Sequence, residues 1–138
     1  MRNLISIRII TDNVSQLADF YNEITGISPI FYTEDFAELQ TSIGVLAIGS
    51  TKTLQFFGEN INVIPGQNKS VIIEFISNDV DADYDRLYDF IKPYMVQKPT
   101  IMPWGNKSLL FRDPDGNLVN FFTPVSADAV KKFESKLK

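Results

Sequence analysis

The 138-residue chain contains neither histidine nor cysteine. That removes the commonest metal ligand, the usual general base at neutral pH, thiolate nucleophiles and any Ser/His relay. Chemistry is left to carboxylates, guanidinium groups, amides and aromatic rings. Side chains alternate across a strand, so in NLISIRIIT (3–11) Ser6, Arg8 and Ile10 share one face while Ile5, Ile7 and Ile9 share the other, which suits a helix layer. In SVIIEFIS (70–77), Ile72, Glu74 and Ile76 stand opposite Val71, Ile73 and Phe75, and a shift of 66 residues maps Arg8 onto Glu74. In FAELQTS (36–42), Phe36, Glu38 and Gln40 form one face. Glu38 and Gln40 are candidates to hydrogen-bond a polar ligand, and Arg112, which shares parity with Leu110, is a further candidate. Glu38 and Glu74 are the candidate acid/base groups, a role that requires burial, with Arg8 or Arg112 stabilising an anion. The plainer alternatives are a solvated carboxylate for Glu38 and pairing with Asp113 or Asp115 for Arg112.

Thirteen Lys and Arg against seventeen Asp and Glu leave a net charge of −4, which supplies no electrostatic footprint for nucleic acid or an anionic membrane. At 15.7 kDa there is room for a single domain. Hydrophobic residues reach 44%, yet no apolar run is long enough to span a bilayer. The opening MRNLISIRIITDN is interrupted by Arg8 and lacks a small-residue cleavage site, so it reads as a strand rather than a signal peptide, and a cytoplasmic location is expected.

The elements that position these residues come in two copies. After the first strand, Asp12 and Asn13 suit a helix N-cap. Val14, Leu17, Ala18, Tyr21 and Ile24 then recur at three and four until Gly26 ends the helix. Strands follow around 28–34, 36–42 and 44–50. In the second copy Asn78 and Asp79 cap a helix carrying Val80, Tyr84, Leu87 and Ile91, stopped by Pro93. Strands VQKPT, KSLLFRD and NLVNFFT complete it, with DPDG as the turn between the last two, its residues explained by turn geometry alone. The order β-α-β-β-β therefore occurs over about 3–50 and again over about 70–124. Residues 51–69 connect them, ordered by Leu54, Phe56 and Phe57, and a C-terminal helix is expected within about 125–138.

Two βαβββ modules, the segment ITDNVSQLADFYNEITG and the segment MPWGNKSLLFRDPDGNLVNFF together resemble the vicinal oxygen chelate superfamily, the group of glyoxalase I, bleomycin resistance protein and extradiol dioxygenases. The resemblance covers roughly residues 3–124. It implies an α+β fold in which two βαβββ modules form a cup-shaped mixed sheet with helices on the outside, in a single domain over 1–138, often completed by a homodimer. Active members hold a metal at fixed points of the cup floor, and here those points fall on Ser6, Ile72 and Asn120. The first-module counterpart of Asn120 lies near Ile48 by strand order or Leu54 by the 66-residue shift. Serine, isoleucine and asparagine offer weak neutral oxygens at best, so no metal or other cofactor is expected.

By the same resemblance Arg8 and Glu74 would face each other across the cup floor and take the metal's place, either as a contact for ligand or as an ion pair that only fixes how the modules meet. Trp104 lies in a glycine-containing loop, MPWGN. With one of Phe31 and Tyr32 and one of Phe56 and Phe57, it would form an aromatic wall for a planar or cationic ligand, or else pack at an interface. The expected function is metal-free binding of a small aromatic or cationic compound. The alternatives are a lyase- or isomerase-type enzyme using a buried Glu, a metal-dependent glyoxalase-family enzyme, and a small regulatory domain. Binding is favoured because no pair of titratable groups has a spacing that demands catalysis. The expected partners are a small molecule and a second copy of the chain, with no nucleic acid and no membrane.

Overall fold

In the computed structural model, which describes residues 1–58 and 60–137, the β-branched segment near the N-terminus forms β1 (Ser6–Ile10). Position 59 of the expected connection and position 138 of the expected last helix lie outside the described residues. The Asn13 side chain accepts from the Gln16 amide at 3.0 Å and opens α1 (Val14–Thr25). Gly26 closes it at φ 73°, its N–H bonded to the Asn22 carbonyl, a left-handed conformation that glycine adopts without a Cβ penalty. Asn13→Ala is expected to cost about 1 kcal/mol in a denaturant titration, and Asn13→Asp much less, because only the alanine lacks the capping oxygen.

β2 (Ile30–Thr33), β3 (Phe36–Gln40) and β4 (Val45–Gly49) follow. The sheet runs β1-β4-β3-β2, with β1 parallel to β4 and the remaining pairs antiparallel. Helix α1 lies over β3 and β4 and buries Leu17, Ala18, Phe20, Tyr21 and Ile24 against Ala37, Leu39, Leu46 and Ile48. Ile7 and Ile9 pair with Leu46 and Ile48 and so face the helix side, as expected. Ile5 and Ile7 are nevertheless exposed, because β1 is an outer strand beyond the main contacts of α1.

The second copy is β5 (Ile72–Ile76), α2 (Val80–Ile91), β6 (Met95–Ile101), β7 (Asn106–Arg112) and β8 (Leu118–Pro124). Its sheet order, β5-β8-β7-β6, repeats the first, and both β5 and α2 begin 66 residues after their counterparts. Asp79 caps α2 by accepting from the Ala82 amide at 3.0 Å, and Pro93 sits in the 3-10 turn that ends it. Pro99 has no N–H to give a ladder; it lies in the outer strand β6, where the register slips between Gln97 and Thr100. Val80, Leu87 and Ile91 of α2 are buried with Leu109, Phe111, Val119 and Phe121. Ser126 caps a last short helix, α3 (Ala127–Phe133), accepting from the Ala129 amide at 3.1 Å.

The chain thus forms two compact units, Met1–Asn68 and Lys69–Lys138, each an open four-stranded mixed sheet with a helix on one face. The class is α+β. Among the described residues, no helix is long and apolar enough to cross a membrane.

Candidate functional site

Strand pairing aligns residues of one face into rows, so the face of each sheet turned away from its long helix can be read directly from the register. In the first unit Arg8 pairs with Ala47, Ala47 with Glu38, and Glu38 with Ile30. Gln40 lies in the next row with Val45 and Ser6, and Phe36 lies in the row of Gly49 and Ile10. Arg8, Glu38, Gln40 and Phe36 therefore stand on one face over a floor of small residues. Tyr32 joins them. Its hydroxyl donates to Glu38 Oε1 at 3.2 Å and accepts from Gln40 Nε2 at 3.1 Å, while Gln40 Nε2 is also 3.0 Å from Glu38 Oε1. The Arg8 guanidinium sits 5.0 Å from the Phe36 ring centre and 5.9 Å from that of Phe57. Phe31 pairs with Ala37 on the opposite face, and Phe56 is 88% exposed, so of the two pairs of aromatic candidates Tyr32 and Phe57 are those that meet the polar group.

In the second unit the corresponding row is Glu74, Asn120, Leu110 and Gln97. Asn120 Nδ2 donates to Glu74 Oε2 at 2.9 Å. Asn120 is only 8% exposed, and its Oδ1 is buried without a hydrogen-bond partner among the described residues. Such an orphaned acceptor costs about 1–3 kcal/mol unless something donates to it. The neighbouring row holds Ile76, Phe122 and Ser108, and Phe122 meets the Phe133 ring of α3 with centres 5.2 Å apart. An apolar wall thus stands beside the acceptors. The parity of Phe122 with Asn120 was legible in the sequence, but the placement of α3 on this face was not.

Arg112 is half-buried, and its Nη1 donates to the Gly116 carbonyl at 2.8 Å, which ties it to the β7–β8 turn. Trp104 is 67% exposed at the tip of a tight loop in which the Met102 amide bonds the Asn106 carbonyl at 2.7 Å. Gly105 holds that loop at φ 91° against Ser126, so close that an added Cβ would lie 2.0 Å from the Ser126 Oγ. Asn106 is four residues, or about 13 Å, along β7 from the row of Asn120, so Trp104 belongs to the sheet's end and not to the immediate surroundings of Glu74.

Two expectations need correction. The first-unit counterpart of Asn120 is Ala47, next to the Ile48 reached by strand order and far from the Leu54 reached by the 66-residue shift: Arg8 pairs with Ala47 as Glu74 pairs with Asn120. The 66-residue shift fails beyond the helices because β6, β7 and β8 have seven residues each where β2, β3 and β4 have four or five. The second concerns a buried carboxylate acid: Glu74 is exposed on the outer strand β5 and Glu38 is half-buried, so neither has the desolvated setting that role requires.

The residues at the metal positions do not suit a metal. Ser6 is a neutral hydroxyl, Ile72 has no donor, and Asn120 offers a single neutral amide oxygen, a weak donor set for a divalent ion. Among the described residues no group of three or more His, Cys, Asp and Glu is placed to hold an ion.

Residues 3–121 match a family model described as the Glyoxalase/Bleomycin resistance protein/Dioxygenase superfamily. The uncharacterized protein YraH of Bacillus subtilis (strain 168) is 27% identical over 127 residues, covering 86% of this chain and 96% of that protein. A solved structure described as a conserved domain protein is 24% identical with a TM-score of 0.73, covering 89% of this chain and 99% of the other. A glyoxalase/bleomycin resistance protein/dioxygenase from Nocardioides also superposes with a TM-score of 0.73, at 16% identity, over 92% of this chain and 86% of its own. These structures share the fold. By the family match, the chain belongs to the glyoxalase/bleomycin resistance protein/dioxygenase superfamily.

Proposed function

We propose that this superfamily member is a small-molecule-binding protein that works without a resident metal and takes a planar, cationic or N–H-donating compound on the second unit's open face. The observation that carries this reading is the buried, unpartnered Oδ1 of Asn120 beside the Glu74 carboxylate. Glu74 spends one oxygen on the Asn120 amide, so the pair offers a ligand two adjacent acceptors, one of them negatively charged. A ligand ammonium or amide N–H would satisfy both. The Phe122 and Phe133 rings beside them would receive the apolar part of such a ligand, and an exposed Trp104 offers a stacking surface at the sheet's end.

Thermal-shift titration of the full chain with ethidium, a planar organic cation, and separately with Zn²⁺, Ni²⁺ and Mn²⁺ tests the reading. Saturable stabilisation by ethidium is expected, with affinity about ten-fold lower in Glu74→Gln, since a charge-assisted contact is worth about 1.5–3 kcal/mol. Trp104→Ala should weaken binding less. Saturable stabilisation by a divalent metal that disappears in Asn120→Ala would overturn the metal-free reading.

A further inference from the structure

The first unit presents a row that its second-unit equivalent lacks: a guanidinium and a carboxylate separated by an alanine. Where Glu74 leans on Asn120, Arg8 faces Ala47, and beyond Ala47 stands Glu38. Adjacent strands lie about 4.8 Å apart, which puts the Arg8 and Glu38 backbones about 10 Å from each other with a methyl group between them.

Arg8 has the two flanking rings and no hydrogen-bond or ion-pair partner among the described residues. The Phe36 and Phe57 rings accept no conventional hydrogen bond, so the guanidinium N–H groups remain for another group, and arginine grips a carboxylate through two parallel hydrogen bonds. Gly49 makes room for this arrangement. An added Cβ there would lie 3.3 Å from Arg8 Cδ and 2.9 Å from Thr53 Oγ1. Glu38 is held from the other side, its Oε1 taken by Tyr32 and Gln40, and its Oε2 is left without a partner among the described residues.

From this row we infer that the first unit binds a small hydroxy- or amino-carboxylate, the carboxylate on Arg8 and the hydroxyl or ammonium on Glu38. A plain anion satisfies only Arg8 and is repelled by Glu38; a plain amine satisfies only Glu38 and is repelled by Arg8. The site therefore selects molecules carrying both groups. It goes beyond the acceptor site proposed on the second unit and shares no residue with it.

The test is a ¹H–¹⁵N NMR titration of the full chain with lactate and with alanine, following the Ala47 and Gly49 amides. Propionate, ethanolamine and inorganic phosphate serve as comparison probes. Saturable shifts at Ala47 and Gly49 with lactate or alanine are expected, and propionate should bind at least about ten-fold more weakly because Glu38 gains nothing from it. Arg8→Met should abolish binding, and Arg8→Lys, which keeps the charge without the planar fork, should weaken it about ten-fold or more. Glu38→Ala should erase the preference of lactate over propionate, and Gly49→Ala should weaken both by displacing Arg8. The inference is overturned if neither lactate nor alanine binds, if Arg8→Met binds as well as the parent, or if phosphate or propionate binds as tightly as lactate.

Discussion

Phe111→Ala is expected to lower the unfolding free energy by about 3–5 kcal/mol, a large part of the roughly 5–15 kcal/mol that holds a domain of this kind together. Phe111 is fully buried, and its ring meets Phe121 edge-on with centres 5.5 Å apart; Phe121 in turn meets Phe75 at the same separation. Leu109 and Val119, both inaccessible to solvent, lie on the same side of the sheet beneath α2. Truncation leaves a ring-sized void that these neighbours, fixed by strand register, cannot close. Phe111→Leu keeps much of the volume and should cost clearly less. Far-UV circular dichroism during denaturant unfolding reads the loss. A loss below about 1.5 kcal/mol would mean the site collapses around the missing ring. Because Phe111 faces away from Leu110 and Asn120, ligand affinity of the folded fraction should not change.

The helices were legible because their signals are local. Asn13, Gly26 and Asp79 act through bonds to residues three or four positions away, and the spacing of Leu17, Ala18, Tyr21 and Ile24 marks the buried stripe within a single helix. Strand alternation also placed Arg8, Glu38 and Gln40 with their faces correctly related, since side-chain period is an intrinsic property of the strand. What spacing could not supply was register across strands. The neighbour of Arg8 is Ala47 because of how many residues the intervening strands and turns consume, and that count differs between the two units. Nor could it show that Phe57 returns from beyond the sheet to lie beside Arg8, or that Asn120 turns its amide N–H toward Glu74 and strands its own oxygen. These are non-local contacts, decided by packing after the elements have formed.

Asp113→Ala is the second large loss expected, about 3–5 kcal/mol, and it bears on how the second unit's row is aligned. Asp113 is 2% exposed at the end of β7, and its Oδ1 accepts from the Asp115 amide at 3.0 Å and the Asn117 amide at 2.8 Å. Oδ2 accepts from Asn117 Nδ2 at 2.9 Å. Backbone bonds from Asp113 N–H to the Asn117 carbonyl and from Gly116 N–H to the Asp113 carbonyl, both 2.9 Å, close the turn around that carboxylate. Alanine would leave three donors facing each other with no acceptor, so the turn must open to water, and the β7–β8 register that sets Leu110 opposite Asn120 loses its anchor. Asp113→Asn keeps one acceptor oxygen but turns an N–H toward the Asn117 amide, so it should lose less, about 1–2 kcal/mol. Combining Asp113→Asn with Asn117→Asp reverses donor and acceptor and should recover part of that loss, a coupling above about 0.5 kcal/mol in a double-mutant cycle. If Asp113→Ala instead stays within about 1 kcal/mol of the parent in a denaturant titration, Pro114, Gly116 at φ 87° and the two backbone bonds hold the turn without the carboxylate.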